Sequence, residues 1–154
     1  MTGTLGAMPD DPHAALARLE PLVGEWTLES PIAPGQAGRS VFEWALGGAF
    51  LLERSEAPDP APNGLTIVAA DEDGAGYTQH YFDYRGVVRV YAMTFDDGVW
   101  TLLRTSADFT PLSFSQRYTG RFSDDGSAIE GAWERTEEDG TWVHDFDITY
   151  RRKS

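Results

Sequence analysis

The residues that could do chemistry here are histidine, arginine, carboxylate, tyrosine and amide groups, and the 154 residues include no cysteine. Thiol nucleophiles, disulfides and thiolate metal sites are thereby excluded. His13, His80 and His144 stand far apart, with no H-x-H or H-E-x-x-H spacing to hold a metal ion. Asp145 and Asp147, with Glu137, Glu138 and Asp139, read as a solvated acidic rim. The "DDG" runs at 96–98 and 124–126 lack the spaced ligands and terminal glutamate of a calcium loop. No G-x-S-x-G elbow, phosphate loop or dinucleotide fingerprint is present.

A different pattern stands out. Segments that alternate with period two, as half-buried strands do, carry one polar group on the aromatic face. In "FSQRYTG" (114–120) Gln116 lies between Phe114 and Tyr118. His144 shares parity with Trp142, Phe146, Ile148 and Tyr150; Arg104 with Trp100 and Leu102; Arg89 with Tyr91, Met93 and Phe95. Gln79 sits between Tyr77 and Tyr81, and Arg54 follows Phe50 and Leu52. Two parities stay open: Val88, Val90 and Ala92 are an alternative inner set to that of Arg89, and His80, Phe82 and Tyr84 an alternative to that of Gln79.

A solid core tolerates such groups poorly, since an unpaired buried polar group costs roughly 1–3 kcal/mol. A wet or ligand-filled cavity accepts them, because water or ligand completes their hydrogen bonds. The expected ligand-binding set is therefore Arg54, Gln79, His80, Arg89, Tyr91, Arg104, Gln116, Tyr118 and His144. For the arginines, a surface salt bridge is the competing reading. A catalytic alternative uses His144 or His80 as general acid or base, with Arg89 or Arg104 stabilising an enolate or carboxylate.

These residues need strands to position them, and the chain supplies ten candidates: 24–30, 39–46, 49–56, 65–71, 76–84, 87–95, 99–106, 112–123, 127–136 and 141–152. Gly47-Gly48, Asp73-Gly74, Arg85-Gly86, Asp97-Gly98, Asp125-Gly126 and Asp139-Gly140 separate them. Asp-Gly pairs supply the positive φ of hairpin turns, so the strands chain into an antiparallel up-and-down meander. A meander this long sheds its edges most simply by closing into a barrel. The Pro-rich "APDPAPNG" (57–64) is its one long connection, a lip at the mouth. Residues 1–9 form a flexible leader, and 10–154 a single domain. Asp11 and Pro12 start one short helix, which Pro21 ends.

The formal net charge of −13 argues against nucleic acid or an anionic membrane as partner. No signal peptide or transmembrane run is apparent, so a cytoplasmic location is the default expectation. A homodimer built on an exposed strand is a further option.

The short helix leading into "LEPLVGEWTLES" resembles the opening of lipocalin-like (calycin) barrels, with Gly24 and Trp26 at the Gly-x-Trp positions of the closed end. The run "YTQHYFDYRGVVRVYAMTF…GVWTLLR…FSQRYTGRFSDDGSAIEGAWE" resembles a bacterial family of unknown function with that fold. This family is distantly similar to nitrobindin-type haem barrels and fatty-acid-binding proteins. The resemblance implies a cavity-bearing barrel and no settled activity. Haem would need a histidine on a late strand, where His144 lies. However, "GEWTLES" stands in place of a longer glycine-rich opening, and "DFDITYRR" has no histidine. The expectation is an all-β barrel without a cofactor, binding a small, mostly apolar molecule with a polar or anionic end. A small-barrel isomerase, cyclase or lyase is the first alternative and a haem binder the second.

Overall fold

A computed structural model describes residues 12–109 and 111–153. The leader and the capping role of Asp11 lie outside them. All ten expected strands form: β1 (Gly24–Glu29), β2 (Ala37–Ala45), β3 (Phe50–Glu56), β4 (Gly64–Ala70), β5 (Tyr77–Asp83), β6 (Val88–Asp96), β7 (Val99–Arg104), β8 (Gln116–Phe122), β9 (Ala128–Thr136) and β10 (Trp142–Arg152). Each pairs antiparallel with its sequence neighbour. β1 pairs with β10, Trp26 opposite Arg152, and this closes the barrel. The turn between β6 and β7 shows why the sequence meanders. Asp97 and Gly98 both have positive φ (52° and 75°), the conformation whose twist matches that of paired strands.

One helix, α1 (Pro12–Ala17), precedes the barrel, and a 3-10 turn over Glu20–Leu22 follows it. Pro21 falls inside that turn, where it has no N–H to continue an α-helix. Leu16, Leu19 and Leu22 are buried against Trp26, whose indole donates to the Leu22 carbonyl at 2.8 Å. Tyr77 donates to the Ala15 carbonyl at 2.6 Å. The helix thus plugs the end where β1 begins, and Trp26 packs edge-on against Phe122 and Tyr150 beneath it. Among the described residues no helix is long and apolar enough to cross a membrane.

The opposite end is bounded by the connections β1–β2, β3–β4, β5–β6, β7–β8 and β9–β10, the Pro-rich segment among them. The β7–β8 connection is longer than the sequence suggests, because β8 starts at Gln116 and not at 112. Asp108 holds this connection down by accepting from the Val90 N–H at 2.8 Å and from Arg104.

Two deviations move expected inner residues to the outer wall. On β10 the register slips between His144 and Phe146. This one-residue bulge reverses parity, so Phe146, Ile148 and Tyr150 keep the interior while Trp142 and His144 turn outward. On β3 both faces are apolar. Leu51 and Glu53 are buried inside, and Leu52 and Arg54 lie outside. The outer face across β3–β6 continues with Leu65, Ile67, Phe82, Val88 and Val90, all half-buried. Among the described residues every strand is paired on both sides.

Candidate functional site

Gln79, Arg89, Tyr91, Arg104, Gln116 and Tyr118 all project into the barrel. Their parity follows from buried neighbours on the same strands: Tyr77 on β5, Met93 on β6, Trp100 and Leu102 on β7. Register carries it around the wall, with Gln79 opposite Tyr91, Arg104 opposite Gln116 and Leu102 opposite Tyr118. Arg89, at the start of β6, and Gln116, at the start of β8, both sit at the open end.

There they form a polar cluster. The Gln116 Oε1 accepts from Arg89 Nη1 at 3.2 Å and from the Tyr91 hydroxyl at 3.3 Å. The Tyr91 pKa is raised, mainly because burial disfavours the phenolate, so it stays a neutral donor. Arg104 is also directed inward but is already neutralised. Its Nε and Nη2 meet the two oxygens of Asp108 at 2.9 and 3.0 Å, with side-chain exposures of only 2% and 8%. Arg89 differs. Among the described residues no carboxylate lies within ion-pair distance of it, and its Nε is buried without a hydrogen-bond partner. The apolar side of the mouth is Trp133, half-buried, with ring centroids 5.9 Å from Tyr91 and 5.3 Å from Tyr118.

Three expected residues do not join this cluster. Arg54 faces outward and pairs with Glu43, because the adjacent Glu53 takes the inner position. His80 is on the outer wall between Ile67 and Val90. His144 is exposed beyond the bulge and contacts Asp147 Oδ1 at 2.8 Å. Neither histidine projects toward a group bound inside, so haem ligation by His144 does not fit this barrel. The acidic residues near it form no metal-holding group among the described residues.

The middle of the barrel is filled rather than hollow. Trp100 packs edge-on against Tyr118, Tyr150 and Phe42, at centroid distances of 4.8, 5.6 and 6.1 Å. Tyr118 lies over Gly120 and Gly131, where an added Cβ would come within 2.9 and 2.5 Å of ring carbons. Two surface hollows lie outside the wall. One is lined by Glu29, Ser30 and Arg151, the other by Glu20, Trp44 and Gly47.

Two inner carboxylates escaped the sequence reading. Asp108 comes from a connection, where no periodicity shows facing; its spacing of four from Arg104 was the available signal. Glu53 is opposite Phe42 and Thr66 and accepts from Ser40 Oγ at 2.5 Å. Burial raises its pKa to about 7, against smaller opposing effects of the Ser40 and Thr66 hydroxyls.

These features define a ten-stranded up-and-down barrel, plugged by a helix at one end and polar at the other. No family model and no curated protein sequence matches the chain. Among solved structures it is similar to Rv2717c from M. tuberculosis, with a TM-score of 0.60 and 14% identity. The match covers 91% of this chain and 98% of that one. The likeness is one of fold.

Proposed function

We propose that the protein binds a small carboxylate whose apolar body rests on Trp133 and Tyr91 at the open end of a lipocalin-like barrel. One observation carries this reading. Of the arginines at inner-facing positions toward the open end, Arg104 pairs with Asp108 and Arg135 with Glu137, whereas Arg89 has no carboxylate partner among the described residues, in a chain with 25 acidic against 12 basic residues. A half-buried guanidinium held in place by Gln116, with its Nε unpaired, offers a planar edge for two parallel N–H···O bonds to a carboxylate. The Gln116 carbonyl is already committed to Arg89 and Tyr91, which leaves its amide N–H groups to the ligand. Aromatic contact would supply most of the affinity and the polar groups the orientation.

Titration with octanoate and with 1-octanol, followed by tryptophan fluorescence and calorimetry, tests it. Octanoate should bind better than the alcohol. Arg89→Gln should weaken octanoate by roughly 10- to 100-fold, the worth of a charged hydrogen bond, and leave octanol unchanged. Equal binding of both molecules, or an unaltered octanoate affinity in Arg89→Gln, would exclude the reading.

A further inference from the structure

The outer wall of the barrel is not uniform. From β8 through β1 its surface carries ion pairs, among them Arg117 with Glu134 and Arg151 with Glu29. Across β3–β6 it is apolar instead. Leu52, Leu65, Ile67, Phe82, Val88 and Val90 project outward there, opposite in parity to the buried Leu51, Thr66, Gln79 and Tyr91. The half-buried apolar side chains that pack against the core are a different set. At the margins Leu103 and Tyr84 are 40% and 74% exposed. An apolar area of this extent, on a chain with a net charge of −13, marks an interaction surface.

Register arranges this face in three rows. Leu52, Ile67, His80 and Val90 stand side by side in the middle one. Toward the mouth the row is Leu65, Phe82 and Val88; toward the plugged end it is the smaller Ala69, Thr78 and Ala92. The two ends also differ in charge. The turns at the plugged end hold Asp71, Glu72, Asp73, Asp96 and Asp97. The open end presents Arg54, paired with Glu43, and Arg85, which is half exposed over an Asp83 side chain that is fully covered.

We propose that two copies of the chain pack wall to wall through this face, about a two-fold axis along the middle row, with the open end of each beside the plugged end of the other. Such an axis sets the mouth-side row of one copy against the plug-side row of the next, so Leu65, Phe82 and Val88 fill the space left by Ala69, Thr78 and Ala92. It also brings Arg54 and Arg85 beside the acidic turns, which copies packed mouth to mouth would not do. His80, the polar group of the middle row, meets its own counterpart. A neutral imidazole has one donor and one acceptor nitrogen, so two of them satisfy each other. A purely apolar partner would leave that imidazole unmatched, and the centre of the patch holds no carboxylate for a basic partner to meet. Five strands at about 4.8 Å spacing, with three outward residues on each, cover roughly 25 by 20 Å. With its charged margins the face approaches the roughly 800 Å² per copy of a standard interface. The mouth stays open, so this pairing is independent of carboxylate binding.

Sedimentation equilibrium tests the pairing. At about 100 μM, above the micromolar Kd of the weaker interfaces of this size, the protein should show twice the chain mass of 17.0 kDa and should dissociate on dilution. Ile67→Glu and His80→Glu each set two carboxylates against one another on the axis, and each should weaken association by about 100-fold or more. Thr119→Glu, on the outer face of β8, should have no effect. Because the chain has no cysteine, single cysteines report the geometry. In a mixture of Tyr84→Cys and Asp73→Cys, a short bismaleimide should link the two variants to each other and neither to itself. A wild type that stays monomeric at this concentration, or equal weakening by Thr119→Glu and Ile67→Glu, would overturn the proposal. So would Tyr84→Cys linked to itself, which places mouth beside mouth.

Discussion

Raising the pH from 5 to 8 should weaken the fold, and Glu53 should be the reason. Its carboxyl titrates near 7 in the barrel against 4.5 ordinarily, with burial as the leading cause. A raised acid pKa means that the folded state holds the proton more tightly than the unfolded chain. The neutral group is accommodated at low pH, and stability is lost as pH climbs from the unfolded value through the folded one. A difference of this size amounts to about 3 kcal/mol once both states are ionised, of which roughly 2–3 kcal/mol falls between pH 5 and 8. Carboxylates whose pKa is lowered by hydrogen bonds, such as Glu25 and Asp125, titrate at about 2, well below this window. Glu53→Gln keeps the shape and removes the titration. Urea denaturation at unit pH steps should therefore show the wild type losing ground to Glu53→Gln, with the gap widening toward pH 8. Parallel pH profiles for the two proteins would refute the assignment of Glu53 as a buried acid.

Asp108→Asn should lower the unfolding free energy by about 3 kcal/mol, because Arg104 would remain buried without its carboxylate. Adding Arg104→Leu should restore part of that loss in the same denaturation assay. Gly131→Ala should destabilise by about 1–3 kcal/mol, since the new methyl collides with the Tyr118 ring, and Tyr118→Leu in the same chain should relieve it. His144→Gln, at an exposed position on the outer wall, should shift stability by less than about 0.5 kcal/mol and leave octanoate binding unchanged.

The strand count and antiparallel order were readable because Gly-containing turns punctuate the chain and most strands alternate cleanly. Facing was harder to read where alternation breaks down. On β3 the pair Glu53-Arg54 must place one charge inside. A long arginine stem is the easier side chain to bury, yet the wall places the carboxyl inside, where Ser40 and Thr66 provide hydroxyl donors from neighbouring strands. That choice depends on cross-strand register, which one strand's sequence does not contain. The bulge beyond His144 leaves only a local mark, since in "WVHDFDITY" the alternation breaks at the polar pair His144-Asp145, where the pairing slips a residue. Gln116 was legible because an amide stands between aromatics at one clear parity, whereas the parity of Arg89 and Tyr91 stayed open against Val88, Val90 and Ala92 until the register with β5 and β7 fixed it.

Closure by β1 and β10 has a consequence for biosynthesis. The last pairing joins residues 26–29 to residues 149–152, more than a hundred positions apart. Until β10 emerges, the nascent chain presents two unpaired sheet edges, one on β1 and one on β9. Its apolar outer face on β3–β6 stays partly open to solvent even in the finished barrel. Such a chain can add a strand from another molecule as readily as its own. Substitutions that slow β10 synthesis or weaken its pairing should therefore appear first as lower soluble yield, before any change is measurable in the finished barrel.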